Sequence, residues 1–312
     1  MGCGCGDGQD TGGCGGHEHG QTFQPDDMAR AAMRRIPHKI LVMSGKGGVG
    51  KTTVAVNLAY ALAAAGHKVG IVDADLHGPD VPLMTGVEGL RAQASDEGLI
   101  PIDAPGGVRI LSVSSFLASP DAPVIWRGPA KAGVIAQFLG LADWKGTDVL
   151  IVDCPPGTGD EPLSVAQMIP DADGVVIVTS PQGVSLLDSR KCVGFARQMD
   201  LPVLGIVENF SGFECPGCGR RIDLFKRGGG RQAATDLGVR FLGSIPITEA
   251  MVEAGDSGRP LVVSTPDDPA SLVLTAMAQE LVADWVSGSV GAPIGEGCCG
   301  SCACHEPVPG QD

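Results

Sequence analysis

Eight residues, Gly45–Thr52 (GKGGVGKT), restrict what this chain can fold into more than any others. They match G-x-x-x-x-G-K-[ST] and follow the apolar run KILVMS. They open a segment, Thr52–Ala65, in which Val54, Leu58, Ala61, Leu62 and Ala65 repeat on one helical face before Gly66. A strand, a glycine-rich turn and a helix in that order make a phosphate cradle. The glycines let backbone N–H groups turn inward around phosphate oxygens, and the helix N-terminus adds favourable potential. The motif assigns phosphate binding to Gly45, Lys46, Gly47, Gly48, Val49, Gly50, Lys51, Thr52 and Thr53. Lys51 would take the β- and γ-phosphates, and the Thr52 hydroxyl would take Mg²⁺. A glycine-rich turn matching by chance is the competing reading; the strand before it and the helix after it argue against that.

Further apolar runs, KVGIVDAD, VRILSV, DVLIVD, GVVIVTS and VLGIVEN, alternate with helix-like segments from His38 to about Val286. That alternation predicts an α/β fold with a doubly wound, mostly parallel sheet. Leu90–Gly107 reads as a loop or hairpin excursion, and Ser264–Val286 as a closing amphipathic helix. The expected organisation is a flexible Cys/Gly/His-rich tail over 1–37, an ATPase domain over 38–287 and a flexible Cys-rich tail over 288–312.

Carboxylates at the C-terminal ends of parallel strands face the ligand crevice. Asp73 and Asp75 end one strand and Asp153 ends another. A lone strand-end aspartate is by default a turn or cap residue. Three in this order after a phosphate cradle point to function, with Thr52, Asp73 and Asp153 on Mg²⁺ and Asp75 orienting the attacking water. Lys46, Lys51 and Asp75 form the expected catalytic set. Asp73 and Asp75 resemble a first switch region, and Pro155–Asp160 (PPGTGD) reads as the second, a glycine-containing switch that responds to the γ-phosphate.

Composition excludes several other roles. Lys and Arg number 22 and Asp and Glu 36, a net charge of −14 over 312 residues, and nucleic-acid partners call for a basic face. Met1–Gly20 has no apolar stretch of the secretory kind, MGCGCG misses the myristoylation pattern at Gly6, and no apolar run is long enough to span a membrane. A cytoplasmic protein is expected. The cysteines number 11: Cys3, Cys5 and Cys14 near the start, Cys154 and Cys192 in core-like segments, the pair Cys215 and Cys218, and Cys298, Cys299, Cys302 and Cys304 near the end. In a reducing compartment such clustering signals metal or redox chemistry. CPGCG alone suits half a zinc knuckle as well as half an iron–sulfur site, because both normally take four ligands.

The position of Lys46, directly after the first glycine, resembles the deviant Walker A, MinD-like class of P-loop NTPases, in which this lysine reaches a partner's nucleotide across a homodimer. The ordered segments SGKGGVGKTT, DADLHGPDVP, WRGP, DVLIVDCPPGTGDE, ENFSGFECPGCG and SIP resemble the Mrp/ApbC group over about His38–Val286, roughly four-fifths of the chain. The resemblance implies an ATP-hydrolysing homodimer that carries a labile [4Fe–4S] cluster to apo-proteins, alongside cluster-assembly proteins. Cys215 and Cys218 of each subunit would together hold the cluster across the two-fold axis, and Asn209 would read adenine. Zinc at the pair in isolated protein is a further expectation, as is a shared sheet edge for the second switch and the C-x-x-C segment. The likeness frays at the termini. Cys3, Cys5 and Cys14 with His17 and His19 do not have the spacing of the N-terminal four-cysteine motif of some relatives. Cys298, Cys299, Cys302, Cys304 and His305 could bind zinc, copper or a cluster, complete the Cys215/Cys218 site, or form a thiol-rich tail without metal. Other readings are a MinD/ParA-like positioning ATPase, ATP-gated electron transfer and delivery of another metal. A positioning ATPase needs a membrane-targeting helix or basic face, for which the sequence offers no support.

Overall fold

Strands that are apolar on both faces need helices above and below them. The computed structural model describes residues 25–288 except 97, 118–127 and 216. Its strands are β1 His38–Met43, β2 Val69–Asp73, β3 Gln93–Ser95, β4 Gly98–Ile100, β5 Ile102–Ala104, β6 Val108–Ser112, β7 Val149–Asp153, β8 Gly174–Thr179, β9 Val203–Glu208, β10 Phe213–Glu214, β11 Arg221–Ile222 and β12 Phe241–Ser244. The α-helices are α1 Pro25–Met33, α2 Lys51–Ala64, α3 Val81–Met84, α4 Gly128–Gly140, α5 Asp160–Met168, α6 Gly183–Gln198, α7 Gly229–Leu237, α8 Glu249–Asp256, α9 Leu261–Ser264 and α10 Pro269–Ser287. Eight strands form one sheet in the order β12-β9-β8-β1-β7-β2-β6-β5. Every neighbouring pair in it is parallel except β5 with β6, which adds an antiparallel edge.

Alternate side chains of β1 separate two cores, as the two-residue period of a strand requires. Ile40 and Val42 pack with Val54 and Leu58 of α2 and with Leu274 of α10. Leu41 and Met43 pack with Met33 of α1, Leu139 of α4, Val165 of α5 and Val193 of α6. The expected apolar face of α2 is buried at Val54, Leu58, Ala61 and Leu62, while Ala65 lies exposed beyond the helix end. Ala55, Val56, Ala59 and Tyr60 are buried too, because α10 covers the side of α2 that faces away from the sheet.

The packed chain begins earlier than expected. Helix α1 lies inside the segment read as a flexible tail, and Ala29, Met33 and Ile36 are buried against α4 and α5. These positions make one short apolar stripe that the glycine-rich composition around it conceals. Helix packing there is close: a Cβ on Gly140 would meet the Ala29 nitrogen at 2.8 Å. The region Leu90–Gly107 is a hairpin of β3 and β4 followed by the edge strand β5. The closing helix starts at Pro269, capped by the Asp268 side chain on Ala270 N–H, rather than at Ser264. The second switch and the C-x-x-C segment do not share a sheet edge. The switch follows β7 at the centre, and the cysteines follow β9, next to the edge strand β12.

Candidate functional site

The turn from β1 into α2 forms the cradle. Gly48 and Gly50 have φ of 77° and 78°, a left-handed backbone that favours glycine. At Gly50 space is also closed, since a Cβ there would lie 2.1 Å from Asn209 Nδ2. Gly47 and Gly48 are exposed, Val49 is buried, and Thr53 is half-buried with its carbonyl accepting from Asn57 Nδ2 at 2.9 Å. Gly45 sits against the backbone of Asp188 in α6. Ser44 Oγ donates to the Lys46 carbonyl at 2.9 Å, and Gly157 N–H of the second switch donates to the Ser44 carbonyl at 2.8 Å. The Lys46 side chain is half-buried and forms no ion pair with any described residue.

The predicted charges converge beneath this turn. Asp73 and Asp153 are paired in register at the ends of β2 and β7, and both are fully buried. Lys51 Nζ donates to Asp153 Oδ1 at 2.7 Å and lies 3.7 Å from Asp75 Oδ2. Thr52 Oγ1 donates to Asp153 Oδ2 at 2.8 Å. Asp73 accepts from Ser112 Oγ at 3.0 Å and from Asp75 N–H at 3.2 Å. Burial, then the neighbouring Asp153 carboxylate, push the Asp73 carboxyl well above the usual range, against the pull of Lys51. Burial also raises Asp153, opposed by Lys51 beside it. Burial works against the charge on Lys51, but Asp153 and the other two carboxylates outweigh it and its pKa is raised. Three carboxyl groups gather around one ammonium. With the Thr52 hydroxyl they offer the hard oxygen donors that suit Mg²⁺.

A second charged group joins the two switches and was not anticipated. Lys131 of α4, only 10% exposed in its side chain, donates to Glu161 Oε1 at 2.5 Å and touches His77 Nε2. His77 follows Asp75, and Glu161 follows the PPGTGD segment. Glu161 is partly buried, which raises its pKa, but Lys131 and His77 hold the carboxyl below its usual value overall. The only hint in the sequence is one lysine in the otherwise uncharged helix GPAKAGVIAQFLG, just after WRGP. Trp126 and Arg127 of WRGP lie outside the described residues.

The cysteine pair sits on a hairpin that leaves the sheet after β9. Cys218 N–H and Gly219 N–H donate to the Cys215 carbonyl at 3.3 and 2.8 Å, and Cys215 N–H donates to the Arg220 carbonyl at 2.9 Å. Cys215 is half-buried and Cys218 exposed. The Gly217 N–H, then the Cys218 thiol and N–H, lower the Cys215 pKa and favour its thiolate. Among the described residues no group of three or more His, Cys, Asp or Glu could hold a metal ion; a tetrahedral metal site normally takes four ligands, and this hairpin offers two thiols. Cys154 and Cys192 are buried away from it, and burial pushes both thiols up, Cys192 to about 12. Such thiols are inert. Cys298, Cys299, Cys302 and Cys304 lie outside the described residues.

The end of β9 connects the two sites. Asn209 is fully buried; its Nδ2 donates to the Val49 carbonyl at 3.0 Å and its Oδ1 accepts from Phe210 N–H at 2.9 Å. The amide thus holds the cradle and its own loop. Glu208 accepts from Ser211 Oγ at 2.7 Å, Gly228 N–H at 3.0 Å and Gly230 N–H at 2.6 Å, which staples both ends of the cysteine excursion together. Phe210 takes a φ of 59°, a conformation that costs a bulky residue about 1–3 kcal/mol.

A parallel sheet with a phosphate cradle at its centre, paired aspartates at the adjoining strand ends and a second cradle lysine defines a P-loop NTPase of the MinD-like fold. The profile of the NUBPL iron-transfer P-loop NTPases of the ParA group matches residues 35–282, and the chain belongs to that family. An iron–sulfur cluster carrier protein of Methanocaldococcus jannaschii is 50% identical over 240 residues, 77% of this chain and 83% of the relative. Among solved structures, the nucleotide-binding protein of Archaeoglobus fulgidus in complex with ADP is 40% identical with a TM-score of 0.67, covering 76% of this chain and 92% of that one. The cell division ATPase MinD of Pyrococcus furiosus is 25% identical with a TM-score of 0.60, covering 80% and 99%. No helix among the described residues is long and apolar enough to cross a membrane.

Proposed function

We propose that two copies of this chain bind one [4Fe–4S] cluster through Cys215 and Cys218 of each, and that the dimer hydrolyses ATP and passes the cluster to apo-proteins. The observation that carries this reading is the incompleteness of the cysteine site: two thiols on an outlying hairpin, one favoured as thiolate, with no further ligand group among the described residues. A two-fold axis turns such a half-site into a whole one. Lys46, which forms no ion pair with any described residue, is the residue assigned to the partner's nucleotide. The family membership and the name of the M. jannaschii relative support iron–sulfur cargo.

For hydrolysis, Thr52, Asp73 and Asp153 would hold Mg²⁺, which would supply positive charge against the phosphates. Lys51 exchanges Asp153 for phosphate, and Asp75, 3.7 Å from Lys51, orients the attacking water. The test is anaerobic reconstitution with iron and sulfide, followed by iron, sulfide and zinc analysis per dimer for wild type and a Cys215→Ala/Cys218→Ala variant. About four irons and four sulfides per dimer, lost in the variant, are expected. Zinc in place of iron, or cluster that survives the double substitution, overturns the reading. ATP-dependent co-sedimentation with vesicles or DNA would instead favour a MinD-like positioning role.

A further inference from the structure

We propose that Phe210, between Asn209 and Glu208, is the positioning residue through which nucleotide in the cradle resets Cys215 and Cys218. This rests on the reading above that the cradle takes nucleotide and the cysteine pair takes cargo. Asn209 grips the Val49 carbonyl, and the Val49–Gly50 peptide is planar and trans. The Gly50 N–H therefore points opposite to the carbonyl that Asn209 holds, within a turn whose glycine-rich motif offers N–H donors to phosphate. A phosphate that draws this N–H moves the same peptide unit that Asn209 holds.

The Phe210 ring transmits that movement. A Cβ built on Gly50 would lie 3.3 Å from Phe210 Cζ, so the ring rests on the cradle backbone. The same ring lies 6.4 Å, centroid to centroid, from Phe225 on the far limb of the cysteine excursion. Four non-glycine residues among those described have a left-handed backbone: Asp171, Asp200, Phe210 and Lys226. Aspartate tolerates that conformation; phenylalanine and lysine do so less readily. These two bracket the cysteine excursion, one on each limb, as paired hinges would. Glu208 pins the ends of the excursion to β9 and α7, so the motion is a pivot of the hairpin about fixed ends.

The experiment uses full-length, metal-free protein. Alkylation of Cys215 and Cys218 by iodoacetamide is followed by peptide mass spectrometry with and without saturating MgATP, for wild type and for Phe210→Gly. Glycine keeps the left-handed backbone and removes the ring. Wild type is expected to change its alkylation rate by at least about fivefold on binding MgATP, a typical size for coupling between two sites. In Phe210→Gly, with MgATP bound, the ratio should fall to near one. An unchanged rate in wild type, or a wild-type ratio in the variant, overturns the proposal. If the variant fails to fold, hydrogen exchange of 211–226 in wild type decides: nucleotide-dependent protection is expected, and its absence is fatal. Because no cluster is present, failure of the carrier reading and failure of this coupling are seen in separate experiments.

Discussion

Lys51 and Asp153, one at the first residue of α2 and the other at the last of β7, form a buried ion pair 2.7 Å long that floors the cradle. Removing one partner of such a pair strands a charge, which costs about 3–5 kcal/mol. Lys51→Met should therefore destabilise the protein by about that amount as well as abolish nucleotide binding. Lys51→Met/Asp153→Asn should recover much of the loss without restoring binding. Urea unfolding of wild type, Lys51→Met, Asp153→Asn and the double variant checks this. Additive losses in the double variant would mean the pair contributes no coupling.

Asp73 gives a prediction of opposite sign. A carboxyl whose folded pKa stands above its unfolded value binds its proton more tightly in the folded state, so stability falls as pH rises through the interval between them. The stability of the nucleotide-free protein should decline from about pH 4 upward through that interval, as burial and Asp153 oppose ionisation of Asp73. Asp73→Asn should flatten this decline and raise stability at neutral pH by about 0.5–2 kcal/mol, while weakening Mg²⁺-dependent nucleotide binding. Thermal melts across pH without nucleotide provide the measurement.

Gly50 tolerates no side chain. Alanine would need a φ of 78° and would drive its methyl into the Asn209 amide. Gly50→Ala should cost more than about 1 kcal/mol, and Gly50→Ala/Asn209→Ala should cost less than the sum of the two single changes, because the clash disappears with the amide. Denaturant midpoints of the three variants test the coupling.

Lys131 touches both switches through His77 and Glu161 without lying among the predicted phosphate or Mg²⁺ residues. Lys131→Met should lower kcat for ATP by about tenfold, equivalent to about 1.4 kcal/mol in the barrier. KM should change far less, with partial rescue in Lys131→Arg. An equal loss in kcat and stability, with no rescue, would mark the lysine as only structural.

The parts of the molecule built on local rules were legible in the chain itself. The strand–glycine turn–helix unit and the strand-end aspartates have short-range signatures, and the sheet brings Lys51, Thr52, Asp73, Asp75 and Asp153 together as their spacing predicts. Helix α1 was hidden because three buried residues in nine or so give too weak a stripe against a low-complexity background. The Lys131 bridge depends on α4 packing against α5, and the Glu208 and Asn209 contacts join residues 20 and 160 positions away. Such pairings follow from tertiary packing, which no local pattern encodes.

The Glu208 staple has a consequence for how this protein can be altered. One carboxylate gathers Ser211, Gly228 and Gly230, so the excursion leaves β9 and enters α7 at nearly the same point. The entropy of closing a loop grows only slowly with its length. The segment between Ser211 and Gly228 should therefore accept changes of length and sequence beyond its Gly212 and Phe213 contacts with Ile247, while the P-loop fold beneath keeps its shape. A different hairpin grafted between the same two anchors would change what this outlying loop presents and leave the P-loop core as it is.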